Sequence, residues 1–427
     1  MHYFRIIDEE LYAEDIRVSE LVEEFGSPLY IYSRRTVEEH WLKWEQALAD
    51  LDHRVCFAVK ANSNLAVINT LAGLGSGFDV VSAGELFRVK KAGGDSSLCT
   101  FAGVGKTAEE IEQAISDGIY SFNVESVAEL ELISSVATGK GVRAPVSVRV
   151  NPNVDAETHG KITTGTYENK FGIAFEEVAA LYERASRMPG IWLRGVQIHI
   201  GSQITAVRPF EDAVRKMLPL VTELKARHGI EFFDIGGGVG IVYQSAMASG
   251  TSEWWLGEDK PLTPASYAGA LVPLLRGLGL KIIVEPGRFI VGNAGILAAK
   301  VLYVKKTGKK RFVVVDAAMN DLIRPAFYDS YHEIMSVGKK AGQELLPTDV
   351  VGPICESGDF FCKNRPLPPF ESGDCLALMS AGAYGFTMSS NYNSRPRAAE
   401  VMVSGKTVKL VRRRESFDDL IRGESFD

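Results

Sequence analysis

Through the middle of the chain, short runs of β-branched and aromatic residues alternate with amphipathic stretches. The runs are VCFAVK (55–60), FDVVS (78–82), LCTFAG (98–103), YSFNVES (120–126), VSVRVN (146–151), GVQIHIGS (195–202), FFDIGGG (232–238) and KIIVEPG (281–287). Between them apolar positions recur at helical spacing over 64–74, 83–91, 107–117, 126–136, 175–187, 209–228 and 264–275. Eight strand–helix repeats over roughly 250 residues predict a (β/α)8 TIM barrel. Near-continuous apolar strands also suit a parallel sheet covered on both faces. A doubly wound open sheet is the alternative that the pattern leaves.

The flanks carry a different rhythm. Short alternating runs occupy ILAAKVLYVKK (296–306), KRFVVVDA (310–317), CLALMSAG (375–382), RAAEVMVSG (397–405) and KTVKLVRR (406–413). Turn glycines such as Gly308, Gly373 and Gly405 punctuate them, which predicts an antiparallel β domain. The first 30 or so residues add strands to it. The division expected is a barrel over 34–290 and a β domain built from 1–33 and 291–427. The proline-rich stretch 364–371 reads as a loop, and Arg412 to Arg414 read as a solvated face or an acidic-partner contact rather than a binding patch. The tail repeats ESFD at 415–418 and 424–427; we have no physical account of the repeat.

Bulk numbers then narrow the partners. A chain of 427 residues with 46% hydrophobic and 24% charged positions is composed like a globular protein, and its length suits two domains. The net charge of −7 comes without a basic stripe, which argues against nucleic acid. No apolar run approaches the ~20 residues of a membrane helix, and the acidic N-terminus is unlike a signal peptide. Cys56, Cys99, Cys355, Cys362 and Cys375 form no CxxC pair, so neither a disulfide framework nor a metal site is expected. A reducing cytoplasm fits.

Chemistry gathers where strands end, the face on which barrel enzymes build their sites. Lys60 closes the first run, His199 the sixth, Gly236, Gly237 and Gly238 the seventh, and Glu285 to Arg288 the eighth. A lysine ending an apolar strand either snorkels to solvent or serves as a desolvated nucleophile able to form a Schiff base. Three glycines after a strand make a tight turn, or let backbone N–H groups approach a phosphate. Glu285 with Arg288 is either an ion pair or a carboxylate for a ring nitrogen beside a guanidinium for a substrate carboxylate. His199 is either a core histidine or a ring that stacks on a flat cofactor.

The motifs together resemble the diaminopimelate decarboxylase family, among the alanine-racemase-like (fold type III) pyridoxal 5'-phosphate enzymes. They run in order from SPLYIYS (27–33) through FAVKAN, FDVVSAGE, RVNPNVDAETHGKITTG, NKFGI, QIHIGSQ, DIGGGVGI, EPGR, ICESGDF and SAGAYG to SSNYNSRPRAAEVMV (389–403). The resemblance implies a catalytic set of Lys60, which carries the cofactor, His199, which stacks on its ring, and Cys355. It implies a phosphate cradle of Ser202, Gly236, Gly237, Gly238, the backbone at Gly287 and Arg288, and Tyr384. Glu285 resembles the partner of the pyridine nitrogen. Arg288, Arg324, Tyr328 and Tyr384 resemble the substrate contacts, the first three gripping its distal carboxylate. Cys355 and Glu356 are similar to a loop that reaches into a neighbouring subunit's site, with the thiol as acid and Glu356 on the distal amino group. The enzyme implied is a homodimer with composite sites, acting on a small amino acid.

Members of this fold also act on ornithine, arginine, lysine and carboxynorspermidine. Cations together with an acid at the far end suit the zwitterionic second head of meso-diaminopimelate better than a lone ammonium. The expected reaction is decarboxylation of meso-diaminopimelate to L-lysine. The other basic amino acids, or a non-catalytic barrel that stores pyridoxal phosphate, are the alternatives.

Overall fold

The structure, a computed structural model, describes residues 2–154, 170–256, 260–308, 310–340 and 342–426. It divides into two compact units: Glu38–Ile241 with Pro261–Phe289, and Met1–Val37 with Val242–Lys260 and Ile290–Asp427. The segment Val242–Lys260 groups with the second unit, a boundary that alternation of strands and helices does not mark.

All eight central runs form strands: His53–Ala58, Gly77–Val80, Cys99–Phe101, Ser121–Val124, Ala144–Asn151, Ile191–Ile198, Phe232–Asp234 and Lys281–Val284. Each pairs in parallel with the next, and the eighth pairs with the first, which closes the barrel. The open-sheet alternative is thereby excluded. A two-residue strand, Ile173–Ala174, adds beside the fifth. Parallel register sets Asp79 beside Thr100, Asn123 beside Ser147, and Gln197 beside Asp234. Polar side chains thus meet at neighbouring positions of the closed sheet.

Five of the helices that follow strands begin where hydroxyl or amide side chains cap them. Asn64, Ser82, Thr107, Ser126 and Thr263 each accept a backbone N–H from the first turn, worth about 1 kcal/mol apiece. Buried aromatic side chains pack the helices to the barrel. Trp44 meets Tyr267 edge-on at 5.1 Å, and Tyr182 donates its hydroxyl to the Gly195 carbonyl at 2.5 Å.

The second unit is a mixed, mostly antiparallel sheet. Its path runs Phe360–Leu367, Leu346–Val351, Lys310–Val315, Gly295–Thr307, Leu29–Ser33, Ala399–Ser404, Thr407–Arg412. Two neighbouring pairs on that path are parallel: Lys310–Val315 with Leu346–Val351, and Ala399–Ser404 with Leu29–Ser33. The N-terminal strands Phe4–Ile7, Glu10–Ala13 and Ile16–Arg17 make their own small sheet. Their buried residues Phe4, Leu11 and Ala13 pack with Leu29, Ile31, Ile296, Val401 and Val403 in one core.

One loop expectation is corrected. Residues 364–367 belong to the strand Phe360–Leu367, where Pro366 lies opposite Pro347. The strand is the last in its sheet, and an edge tolerates residues that cannot donate a ladder bond.

Tyr182→Phe tests how the barrel holds its helices. Losing the buried hydroxyl bond to Gly195 should lower stability by about 1 kcal/mol in denaturant unfolding, with the fold unchanged by circular dichroism.

Candidate active site

Lys60 does not extend its strand. The strand stops at Ala58, and Val59–Ala61 form one tight helical turn that sets the lysine at the C-terminal end of the barrel. Its ammonium donates to Asp79 Oδ2 at 2.9 Å, with the lysine side chain 38% exposed and the aspartate fully buried. Asp79 Oδ1 is buried with no hydrogen-bond partner among the described residues. Lys60 therefore combines access to solvent with a fixed origin and an adjacent proton acceptor.

His199 follows the sixth strand. Its Nδ1 accepts the Gly237 N–H at 3.2 Å, so the ring proton resides on Nε2. Burial, then the nearby Arg149 and Lys60 charges, hold the imidazole well below its usual range, and the ring is neutral at physiological pH.

The glycine run has two jobs, and the first is steric. A Cβ on Gly237 would lie 2.2 Å from the Glu285 carbonyl oxygen, and one on Gly238 would lie 2.5 Å from the Gly201 carbonyl. Gly236 and Gly238 also have φ of 70° and 114°, in the left-handed region. Of the N–H groups, that of Gly236 donates to Asp234 Oδ1 at 2.9 Å, and that of Gly237 to His199. The Gly238 and Gly287 N–H groups have no partner among the described residues. Arg288 opens the short helix Arg288–Val291 and donates to Ser202 Oγ at 3.0 Å. These two N–H groups, the hydroxyl and the guanidinium have the chemistry of an anion cradle.

Glu285 and Arg288 diverge in their partners. The glutamate accepts from Gln197 Nε2 at 3.0 Å, Thr100 Oγ1 at 3.2 Å and Asn123 Nδ2 at 3.3 Å. No lysine or arginine among the described residues donates to it. Burial, reinforced by Asp234 and Asp79, raises its carboxyl well above the usual range. A cationic ring nitrogen is the partner such a group lacks. A neutral ring for stacking, an anion cradle and a tethered amine complete a set that fits pyridoxal phosphate.

Arg324, Tyr328, Cys355, Glu356 and Tyr384 belong to the second unit. Arg324 is buried; Nη1 donates to His332 Nε2 at 3.0 Å, Nη2 to Ser330 Oγ at 3.2 Å, and the guanidinium lies 4.7 Å from the Tyr243 ring centroid. His332 Nδ1 donates to the Met379 carbonyl at 2.8 Å, which leaves Nε2 as the acceptor. Tyr328 ends the same short helix, Arg324–Tyr328. Tyr384 holds φ at 55°, an uncommon value for a bulky residue.

Cys355 and Glu356 are exposed, and Tyr392 donates to Glu356 Oε2 at 3.0 Å. Asp359, three residues beyond Glu356, is buried. It accepts from Met319 N at 2.7 Å and Ile354 N at 2.8 Å and pins the loop from beneath.

Sequence reading missed Asp79, Thr100, Asn123, Gln197, Asp234 and His332. The first five are polar residues inside otherwise apolar parallel strands, and which way each faces follows only from register in the closed barrel. His332 sits in a loop and gave no signal. Of RVNPNVDAETHGKITTG, the portion 155–165 lies outside the described residues.

A family model described as "Pyridoxal-dependent decarboxylase, pyridoxal binding domain" matches residues 34–292. The chain is 48% identical to diaminopimelate decarboxylase of Vibrio cholerae, over 100% of this chain and 99% of that one. It is 49% identical to the Pseudomonas aeruginosa diaminopimelate decarboxylase, with the same coverage. Among solved structures, Helicobacter pylori diaminopimelate decarboxylase complexed with L-lysine superposes with a TM-score of 0.88. Identity there is 40%, covering 95% of this chain and 98% of that one.

Gly237→Ala should cost ~1–3 kcal/mol of stability, because the new methyl meets a backbone oxygen that cannot rotate away. Titration with pyridoxal phosphate should show weaker binding in the same variant. A variant with wild-type stability and affinity would mean that the strand ends can part without consequence.

Proposed function

We infer that this chain, which belongs to the pyridoxal-dependent decarboxylase family, converts meso-2,6-diaminopimelate to L-lysine and carbon dioxide, the last step of lysine biosynthesis. The observation that carries the chemistry is Glu285. It is a buried carboxyl with amide and hydroxyl donors and no cationic one among the described residues, within the same barrel as a half-exposed lysine.

Bound pyridoxal phosphate supplies an electron sink for the pair left on Cα when carbon dioxide departs. In our reading Lys60 holds the cofactor, and Asp79 fixes the approach of its amine and accepts its proton. Glu285 faces the ring nitrogen and favours its charged form. His199, being neutral, lies against the ring without opposing that charge. Ser202, the N–H groups at Gly238 and Gly287, Arg288 and Tyr384 receive the phosphate.

Arg288, Arg324, Tyr328 and Tyr384 bind the substrate, with the distal carboxylate taken by the cations and the distal ammonium by Glu356. Cys355 returns a proton to Cα. The exposure of Cys355 and Glu356 supports a loop that serves a second copy's barrel, and hence a homodimer with two shared sites. Five free thiols support a reducing, cytoplasmic setting.

A panel of meso-diaminopimelate, ornithine, arginine and carboxynorspermidine, read by carbon dioxide release, tests the assignment. Turnover should be confined to diaminopimelate and vanish in Lys60→Ala; equal turnover of ornithine or arginine would overturn the substrate. Cys355→Ala should keep the cofactor and lower kcat by roughly 10²–10⁴-fold, the range of general acid catalysis. Full activity at dilutions where only monomer exists would remove the shared site.

A further inference from the structure

Asp234 closes the seventh strand and is fully buried. Its Oδ1 accepts the Gly236 N–H at 2.9 Å, and its Oδ2 accepts from Asn123 Nδ2 at 3.4 Å. The same Asn123 amide donates to Glu285 Oε1 at 3.3 Å, and Asn123 Oδ1 accepts the Ser147 hydroxyl at 2.5 Å. Both carboxyls thus accept from one amide nitrogen, which sets them side by side in the buried interior. Two ionised carboxylates so placed repel each other, and one proton held by the pair removes that repulsion.

We propose that Asp234 and Glu285 hold one proton in common, and that Asp234 is the positioning residue that takes it when a ring cation stands against Glu285. The transfer is balanced within the pair: the Glu285 carboxyl becomes a carboxylate, the Asp234 carboxylate becomes a carboxyl, and the pair keeps one negative charge throughout. This rests on the reading of Glu285 as the partner of the cofactor's ring nitrogen.

The surroundings favour a single proton. Two like charges gathered on one amide nitrogen in a dry interior cannot both persist, and no lysine or arginine among the described residues donates to either group. The other titratable groups facing the pair are Asp79 on the second strand, Cys56 on the first, Tyr267 on the helix Pro264–Leu275, and Lys60. Lys60, the one cation among them, is paired with Asp79. Burial first, then Asp79, pushes Asp234 up to about 7 against the pull of Glu285, Gly236 and Asn123.

The sign for stability follows. Carboxyls raised by folding contribute stability at pH below their unfolded values, and it is lost as pH rises through the folded ones. The pair's contribution to the cofactor-free protein is therefore lost progressively as pH rises from about 4 toward 7 and above. Asp234→Asn offers an amide donor beside Glu285 and deletes one titrating group. Its melting temperature should gain on wild type across that range.

The deciding measurement is infrared absorption of protonated carboxyl groups in the full-length protein, labelled with ¹³C in aspartate or in glutamate side chains. Without pyridoxal phosphate a buried carboxyl band should be present near neutral pH and vanish in Asp234→Asn, where Glu285 ionises. With the cofactor bound, the band should shift under aspartate labelling and not under glutamate labelling. A holoenzyme band insensitive to aspartate labelling, or no band at all, would overturn the role of Asp234. The wild-type spectra carry this decision even if Asp234→Asn does not fold. Glu285→Gln separates the two ideas. Unchanged cofactor affinity there overturns the reading of Glu285 and this proposal with it. Weakened affinity beside an aspartate-insensitive band overturns the Asp234 assignment alone.

Discussion

A carboxyl held at the centre of a closed parallel barrel is the constraint on which the rest of the site depends. Barrel interiors are ordinarily filled with layers of branched aliphatic side chains. Here Glu285 needs donors, because a buried carboxylate without them is far costlier than a buried hydrocarbon. Thr100, Asn123 and Gln197 provide them from the third, fourth and sixth strands, and Ser147 supports Asn123 from the fifth. The donors form one network rather than separate contacts, so removing any member strands the others. Packing is left to fully buried phenylalanines at 57, 78, 101, 122, 232 and 233.

The strand ends inherit this arrangement. Gly237 passes so close to the Glu285 carbonyl that no side chain fits, while its N–H fixes the His199 tautomer. The same glycine thus sets how closely two strand ends approach and which tautomer the imidazole adopts. An imidazolium there would repel both Lys60 and a cationic ring. Burial and the neighbouring positive charges remove that charge, so the ring can stack without working against the electron sink.

Much of this was legible in the chain because parallel strands buried on both faces need long apolar runs, and helices between them need capping residues. The strand at Phe360–Leu367 was hidden by its prolines, whose effect depends on edge position rather than on residue type. Lys60, His199, the glycines and Glu285 stood out because they end strands. Their supports did not: Asp79, Asn123 and Gln197 lie inside strands, and inward or outward facing follows from register across the closed barrel. Arg324 drew notice through resemblance, whereas its orientation by His332 depends on a contact eight residues away through a loop. Single residues at strand ends can be read locally; networks that satisfy buried groups cannot.

The five cysteines illustrate what structure adds to composition. Burial raises the thiols of Cys56, Cys99, Cys362 and Cys375 above their usual range, which keeps them protonated and unreactive. Cys355 is the exposed one, on a loop whose base is fixed by two backbone bonds to Asp359. A thiol that donates a proton to a substrate must be reachable and must return to the same place each cycle. The pinned loop meets both conditions; the three buried thiols fail the first, and Cys375, half-buried, is fixed in a strand of the sheet. Cys355 thus stands apart from the other cysteines on mechanical grounds, independently of any sequence motif.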